Sequence, residues 1–223
     1  MVGPFRPAVR WPAMAAVRRS RLSTDARREQ LVRLGTEIFS ERPFDEVSID
    51  DIAAAAGMSK GLLYHYFPSK RDFYVAVVRH AAEEMQALTE PDPALAPLDR
   101  VAAALDRYLE YVETHARGYA TVLRAGIGTD PAVGAIVEGV RGAMAGRLLA
   151  DLRGAGGPAA PPALRIAVRG WVGLVEAASL DWLEHRDLTR AQLRDLLVAS
   201  LTGAVGAAAA ADPTVAVDPA PSG

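Results

Sequence analysis

The 223-residue chain contains no cysteine, which excludes disulfides, iron–sulfur clusters and thiolate metal sites. Aromatic residues make up only 6% of the chain and β-branched runs are scarce, whereas alanine and leucine dominate. Alanine and leucine are strong helix formers, while β-branched and aromatic residues favour strands. The composition therefore predicts an all-α protein, and the chain is long enough for one or two domains.

Long apolar segments are also missing from the sequence as we interpret it. We find no run of the roughly 18 apolar residues that a membrane-spanning helix needs. The first 23 residues carry five arginines but lack the apolar segment of a signal peptide, so we expect a cytoplasmic protein. Residues 1–22 are expected to form a disordered arm, which either trails along DNA or is a free terminus, and Met14 is a second candidate start.

Lysine is nearly absent, and charge is divided unevenly along the chain. Residues 1–80 hold 13 basic and 9 acidic side chains, net +4, whereas residues 81–223 hold 12 and 18, net −6. Both lysines, Lys60 and Lys70, lie in the basic part. This asymmetry predicts an anion-binding N-terminal part and a different task for the remainder.

The most informative segment, residues 47–70, reads VSIDDIAAAAGMSKGLLYHYFPSK. Ser48 is a good N-cap, and Asp51 three residues later completes a variant of the capping box. Gly57 supplies the left-handed residue that ends a helix, and Ser59 caps the next one. Two short helices around a tight turn predict a helix-turn-helix, whose second helix is suited to a DNA major groove.

The second helix of this motif carries three consecutive ring-bearing residues, Tyr64, His65 and Tyr66. Because successive helical residues point about 100° apart, two of the three must face outward. Phe67 is expected to belong to the core, and Pro68 ends the helix. Exposed rings beside basic residues suggest contact with a partner.

Residues 24–80 resemble the N-terminal domain of the TetR (tetracycline repressor) family. The resemblance rests on IFSERPFDEVS, which ends the first helix, and on GMSKGLLYHYFPSK in the helix-turn-helix. It implies a homodimeric one-component transcriptional regulator, usually a repressor, with an all-α ligand-binding C-terminal domain. Its partners would be a double-stranded DNA operator and a small-molecule effector, with no cofactor and no metal.

The resemblance also implies roles for residues of the motif. Ser48 and Lys70 correspond to phosphate-binding positions, and Ser59, Lys60 and Gly61 lie where base edges are reached. Tyr66 stands where many relatives carry histidine, and His65 precedes it. Arg27 lies either on a solvated face or near a phosphate. The expected DNA-binding residues are thus Arg27, Ser48, Ser59, Lys60, Gly61, Tyr64, His65, Tyr66 and Lys70.

Helical periodicity predicts about nine helices in two domains. The domains are a DNA-binding domain over 23–70, followed by a linking helix, and a ligand-binding and dimerisation domain over 89–206, followed by a disordered tail over 207–223. The predicted helices cover 24–41, 48–56, 60–67, 70–88, 98–115, 130–153, 163–186 and 189–206, and a further short helix ends near residue 125 after a bend marked by His115, Arg117 and Gly118. A glycine-rich turn is expected at 126–131 and a loop at 154–162.

The C-terminal domain provides the candidate effector residues, and its last two helices provide the candidate dimer residues. Aromatic and apolar positions could line a pocket or simply form core, and Glu176 could orient a ligand, face solvent or pair with arginine. The candidate ligand-binding residues are Tyr111, Tyr119, Leu123, Met144, Trp171, Val175 and Glu176. The candidate dimer-interface residues are Gly170, Gly173, Ala177, Leu193, Leu197, Ser200 and Leu201.

No constellation in the sequence supports an enzyme. The nearest candidate is Asp181, Glu184 and His185, which could supply three metal ligands from one helix or could be a solvated helix end. The main hypothesis is therefore a ligand-responsive DNA-binding regulator. The alternative is a small-molecule binding protein whose DNA-binding head is vestigial.

Overall fold

The computed structural model describes residues 23–153 and 159–215, and for residues 124–129 it describes the backbone alone. The described residues form nine α-helices and a 3-10 turn, Phe44–Glu46, and contain no strand, which confirms the predicted all-α fold. The helices are α1 Thr24–Glu41, α2 Ile49–Ala55, α3 Lys60–Tyr66, α4 Lys70–Leu88, α5 Pro97–Thr114, α6 Ala116–Thr129, α7 Pro131–Arg153, α8 Pro162–His185 and α9 Arg190–Ala211.

The chain divides into two compact units between His80 and Ala81, within α4. The sequence predicted the boundary in the proline-rich segment 89–97, preceded by a linking helix that straddles the two domains. The division falls earlier because α4 contributes to two cores. Phe73 belongs to the core of the first unit, whereas Met85 packs against the core of the second.

The first unit is built around one face of α1 and three phenylalanine rings. Phe67 and Phe73 are buried with their ring centroids 4.9 Å apart in an edge-to-face arrangement, and Phe39 lies 6.0 Å from Phe73. Gly35 lies between these elements, because a Cβ placed on it would approach Phe73 Cζ to 2.7 Å and Val77 more closely still. The absence of a side chain at residue 35 therefore sets how closely α1 and α4 pack.

Both helix caps of the predicted motif are present. The Ser48 hydroxyl accepts from the Asp51 N–H at 3.1 Å, and the Ser48 N–H donates to the Asp51 carboxylate at 2.9 Å, which completes the capping box. That backbone hydrogen bond lowers the pKa of Asp51 below its usual value. Ser59 accepts from the Leu62 N–H at 3.2 Å, and Gly57 has the expected positive φ of 62°.

The second unit has its own core, in which α5, α8 and α9 pack on one another. Leu109 and Val112 of α5, Val168 of α8 and Leu197 of α9 are completely buried. Trp171 and Trp182 are also almost completely buried. The indole N–H of Trp171 donates to the Leu197 carbonyl at 2.9 Å, and that of Trp182 donates to the Leu188 carbonyl at 2.8 Å. The rings therefore contribute apolar area without leaving a polar atom unsatisfied.

Two predicted helix ends are wrong. The glycine-rich turn expected at 126–131 is helical to Thr129, and the break comes at Asp130, whose carboxylate accepts from the Ala132 N–H at 2.9 Å. Pro131 then opens α7 and disfavours helical geometry in the residue before it, which explains the later break.

The helix α9 continues past Gly203 and Gly206 to Ala211, so the tail predicted over 207–223 begins too early. Glycine weakens a helix by only about 1 kcal/mol, which burial of Val205 and Ala208 offsets. Val215 is also buried in the second core. The remainder of that tail, the predicted arm over 1–22 and most of the loop at 154–162 lie outside the described residues.

The expectation about membrane-spanning segments also needs correction. By length and composition alone, α9 is long and apolar enough to cross a membrane. Leu193, Leu197 and Leu201 of this helix are buried in the core of the second unit.

The close packing at Gly35 gives a stability prediction. The substitution Gly35→Ala should destabilise the protein by about 1–3 kcal/mol, because the new methyl group meets Phe73 and Val77 in a packed core. Gly61→Ala is the matched control, because a Cβ at Gly61 meets nothing within 4 Å and alanine favours the helix. Urea denaturation followed by circular dichroism measures both, and equal stability of the two variants would contradict the prediction.

Candidate nucleic-acid interface and effector cleft

The recognition helix α3 is held by one buried face and presents the other to solvent. Leu63 and Phe67 at the C-cap are buried, whereas Tyr64 is 43% exposed. Lys60, Gly61, Leu62 and His65 are exposed as well. Of the three consecutive rings, only Tyr66 packs partly against the core, which confirms that two of them face outward. The sequence pattern predicted Leu62 in the core together with Leu63 and Phe67, and this prediction is wrong, because Leu62 is 45% exposed on the open side of the helix.

Lys60 is held by an ion pair with the preceding helix. Its Nζ lies 3.0 Å from Oδ2 of Asp50 at the N-terminal end of α2, and both side chains are largely exposed. The hydrogen bond that Lys60 donates to Asp50 raises the pKa of Lys60 above its usual value. The candidate base-reading lysine is therefore paired in the free protein, and DNA would compete with Asp50 for it.

Two other basic side chains lie over aromatic rings. The Nζ of Lys70 lies 4.0 Å from the centroid of Phe44, and the guanidinium of Arg28 lies 4.9 Å from that of Phe67. Cation–π contacts restrain a long side chain while leaving its N–H donors available. Sequence reasoning missed both pairs because each joins residues distant along the chain.

The remaining candidate phosphate contacts lie at helix starts. Ser48 is exposed, and its hydroxyl accepts the Asp51 N–H, so its own O–H can still be donated to a phosphate. Lys70 is the first residue of α4, where Ser69 accepts from the Asp72 N–H at 3.0 Å. Arg27 donates to the side chain of Gln30 at 2.8 Å. These positions favour anion binding by charge and by the helix dipole.

The second unit contains a cleft between α5, α7, α8 and the segment after α4, with about 540 Å³ of space including its open mouth. Two of the seven candidate ligand residues, Met144 and Trp171, line this cleft. Its lining combines mostly apolar side chains with a few charged groups, which is the usual composition of a small-molecule site. The cleft is therefore the best candidate effector site among the described residues.

The other five candidates do not line this cleft. Val175 is buried core, Leu123 is half-buried, and Tyr111 stacks on His115 at 4.2 Å with its hydroxyl directed to the Ala81 carbonyl at 3.3 Å. Burial raises the pKa of Tyr111. The helical pattern could not separate pocket from core at these positions, because both are apolar.

Glu176 is paired rather than free. Its carboxylate accepts two hydrogen bonds from Arg141, at 3.0 and 2.7 Å, with both side chains only 18% exposed. Of the three alternatives for Glu176, the arginine pair is therefore correct. This bidentate contact joins α7 to α8 and raises the pKa of Arg141.

Tyr119 takes part in a buried hydroxyl cluster. Its hydroxyl is hydrogen-bonded to that of Tyr108, and Ser179 beside them donates to the Val175 carbonyl at 2.7 Å. Burial raises the pKa of Tyr108 to about 12 and that of Tyr119 well above its usual value. Both phenols therefore stay protonated at any physiological pH, and they serve as hydrogen-bonding groups of the core.

The candidate dimer residues separate into two groups. Gly170, Gly173 and Ala177 are exposed on one face of α8. The three candidate leucines of α9 are not on the surface. Leu193, Leu197 and Leu201 are at most 2% exposed and form core within a single chain.

Ser200 accepts the indole N–H of Trp171 at 3.1 Å and donates to the Leu197 carbonyl. The assignment of the α9 leucines to an interface is wrong because the most apolar stripe of a helix packs on its own core first. The exposed apolar residue of α9 is instead Leu196.

The described residues contain no group of three His, Asp or Glu side chains arranged to hold a metal. His185 contacts only its own helix, with Nδ1 3.0 Å from the Asp181 carbonyl. Hydrogen bonding to Asp181 raises the pKa of His185. The arrangement is therefore that of a helix end with a favourably placed histidine.

The first unit is a helix-turn-helix DNA-binding head, and the second is a helical body with a cleft. The chain matches the family model for bacterial regulatory proteins of the tetR family over residues 31–77. It also matches the model for the tetracyclin repressor-like C-terminal domain over residues 97–204. The chain belongs to the TetR family of transcriptional regulators.

Individual relatives agree with this assignment. The crystal structure of a tetR-family transcriptional regulator from Streptomyces coelicolor is 32% identical, with a TM-score of 0.80 over 87% of this chain and 86% of that one. The transcriptional activator FasR of Mycolicibacterium smegmatis is 33% identical over 133 residues, 57% of this chain and 59% of FasR. The regulator AcuR of Cereibacter sphaeroides is 36% identical over 76 residues, 33% of this chain and 35% of AcuR. The chain thus matches less than two thirds of the length of either curated relative.

The Asp50–Lys60 pair gives a prediction about DNA affinity. Asp50→Asn should tighten DNA binding by no more than about fivefold. Lys60 then has no ion pair with Asp50 to break before it contacts DNA, and one negative charge that repels DNA is removed. The control Asp45→Asn removes the same charge from an exposed residue for which no contact with Lys60 is found. Fluorescence anisotropy with labelled duplex DNA measures both variants.

A double-mutant cycle with Lys60→Ala separates the pair from general charge effects. If Asp50 acts through Lys60, the gain from Asp50→Asn shrinks in the Lys60→Ala background. A gain of the same size in both backgrounds would show that Asp50 acts on DNA directly.

Proposed function

We propose that this protein is a ligand-responsive repressor that binds a near-palindromic operator as a homodimer and is released by a small-molecule effector in the cytoplasm. The observation that carries the proposal is the outward face of α3, which presents Lys60, Tyr64 and His65 at the end of a capped helix-turn-helix. The N-terminal residues of a recognition helix are those that reach base edges.

Each DNA-facing group has a chemical role in this proposal. Lys60 donates to guanine O6 or N7, and the ring of Tyr64 contacts a thymine methyl group. Ser59, Gly61, His65 and Tyr66 shape the same surface. Ser48, Arg27 and Lys70 hold phosphates, which fixes the register of the head on the duplex without reading sequence.

A homodimer would place two recognition helices about 34–36 Å apart, or somewhat more, in successive major grooves. Support comes from apolar side chains that α8 and α9 leave exposed. On α8 these are Ile166, 62% exposed, and Leu174, 44% exposed, on the same side of the helix as Gly170 and Gly173, and on α9 Leu196 is 55% exposed. Pairing this face with its copy gives an isologous four-helix interface in which glycines allow close approach.

The effector would occupy the cleft of the second unit and shift the protein towards a state of lower DNA affinity. It can do so only if it binds that state better than the DNA-bound state. The helix α4 joins the two units covalently, with Lys70 at its start and Gln86 near its end. The Gln86 carbonyl accepts from Arg147, which lines the cleft. We propose that α4 carries the coupling.

Footprinting on the fragment upstream of the protein's own gene, together with a promoter reporter, tests the proposal. Protection of a near-palindromic site and lower expression support a repressor. Higher expression would make the protein an activator, as FasR is named. Absence of sequence-preferring binding would favour the alternative of a ligand-binding protein with a vestigial head, against which the intact caps of Ser48 and Ser59 argue.

Lys70 tests the phosphate contacts. Lys70→Ala should weaken binding to all duplexes alike and reduce the slope of log affinity against log salt by about one, because one fewer counterion is released. Arg33→Ala is the control, because Arg33 is exposed and pairs with Glu29 on α1. Anisotropy titrations at several salt concentrations measure the slopes, and an unchanged slope for Lys70→Ala rejects its phosphate role.

Gly173 tests the dimer face. A Cβ placed on Gly173 meets nothing within 4 Å in the single chain and Gly173 is exposed, so Gly173→Leu should leave the protomer folded. The same side chain blocks close approach of a second copy and should raise the dimer dissociation constant by about tenfold or more. Gly139→Leu is the control, because Gly139 has equally open surroundings on α7. Light scattering after size exclusion measures the mass, and a dimeric Gly173→Leu protein would contradict the proposed face.

A further inference from the structure

The cleft of the second unit has an apolar wall and a polar edge. The wall is formed by Val101, Leu105, Tyr108, Met144, Leu148 and Trp171. The polar edge is formed by two arginines and one aspartate, Arg100, Arg147 and Asp151. This division predicts an occupant whose two ends differ in polarity.

The polar atoms along the apolar wall already have partners within the protein. The indole N–H of Trp171 donates to Leu197 and Ser200, and the hydroxyl of Tyr108 is bonded to that of Tyr119. Thr89, which also lines the cleft, donates to the Met85 carbonyl at 2.8 Å. An occupant therefore meets ring faces and aliphatic groups along this wall.

The arginine edge is different, because its donors are not all used. Arg100 donates through Nη1 to Asp151 at 2.9 Å and through Nη2 to the Leu95 carbonyl at 3.1 Å. Its Nε is buried and has no acceptor among the described residues. A buried donor without a partner costs free energy, and each such group in a native structure requires an explanation.

Charge at the same edge is also unbalanced. Arg147 makes one long hydrogen bond, 3.4 Å, to the Gln86 carbonyl, and Asp151 pairs with Arg100. Two guanidinium groups thus face one carboxylate at the polar end of a largely apolar cleft. Partly buried cations of this kind are stabilised by an anion.

We propose that the effector is an amphipathic organic anion, with its apolar body against the Trp171 wall and its anionic head on Arg100 and Arg147. This inference rests on the proposed function, because it assigns the ligand class of the proposed effector cleft. A guanidinium group binds carboxylate or phosphate through two parallel N–H donors. Partial release of Arg100 from Asp151 would present Nε and Nη donors to the head.

Four probes with the same ten-carbon chain test the head group: decanoate, decyl phosphate, decanol and decylammonium. Calorimetric titration of the full-length protein should show that an anionic probe binds about tenfold or more tightly than decanol, because a charge-assisted hydrogen bond is gained. Decylammonium should bind no better than decanol. The order of decanoate and decyl phosphate identifies which anionic head the cleft accepts.

Substitutions assign the preference to Arg100. Arg100→Gln should abolish the advantage of the anion over decanol while leaving decanol binding unchanged. Arg107→Gln is the matched control, because Arg107 lies two turns later on α5, donates to the Glu90 carbonyl at 3.2 Å and does not line the cleft. If Arg100→Gln does not fold, Asp151→Asn replaces it, and removal of the competing carboxylate should tighten anion binding selectively.

Equal affinity for decanoate, decyl phosphate and decanol would overturn the inference, as would equal loss in Arg100→Gln and Arg107→Gln. Absence of binding by every probe would overturn it as well. DNA binding of the ligand-free protein is measured in parallel on the fragment upstream of its gene. Loss of the anion preference with intact DNA binding refutes only the ligand class, whereas absence of DNA binding refutes the proposed function.

Discussion

The placement of α3 depends on contacts outside it, and the proposed base contacts of Lys60 and Tyr64 depend on α3. A helix of seven residues is too short to be stable in water by itself. It is held because Leu63 and Phe67 are buried, the Phe67 ring meets Phe73 edge to face, and Ser59 caps its first turn. These three constraints fix the axis and the rotation of α3, and they leave Lys60 and Tyr64 on the open side. Substitutions in the buried layer would therefore alter DNA reading without touching DNA.

The head could be predicted from sequence because its determinants are local. A cap involves residues three positions apart, as in Ser48 and Asp51, and a left-handed turn needs one glycine, Gly57. The orientation of Lys60 could not be predicted, because it depends on Asp50, ten residues earlier, across the turn. Neither could the cation–π contact of Lys70, whose partner Phe44 belongs to a different element. Contacts between elements depend on packing distances that periodicity does not contain.

The body was predicted less well for the same physical reason. Periodicity identifies apolar positions but not what covers them, so Leu197 was assigned to an interface although it is core, and Val175 to a pocket. Glycine was given too much weight as a helix breaker in α6 and α9. For the cleft, the informative residue is a charged one and not an apolar one. Arg100 lies near the start of an amphipathic helix, and only the structure shows that Asp151, on a helix far along the chain, pairs with it.

The arginines of the second unit differ in how completely their N–H donors are used within the protein. In the body several arginines pair with carboxylates: Arg141 with Glu176, Arg194 with Asp106 and Arg186 with Glu113. Paired arginines stabilise the helix packing and leave little charge for a ligand. Arg100 differs from these because its Nε is buried with no acceptor among the described residues, so the same guanidinium both ties α5 to α7 and keeps a donor for the proposed ligand. An anionic ligand that accepts hydrogen bonds from Arg100 must weaken the ion pair between Arg100 and Asp151. This exchange is the kind of differential contact by which binding in the body can favour one conformation over another.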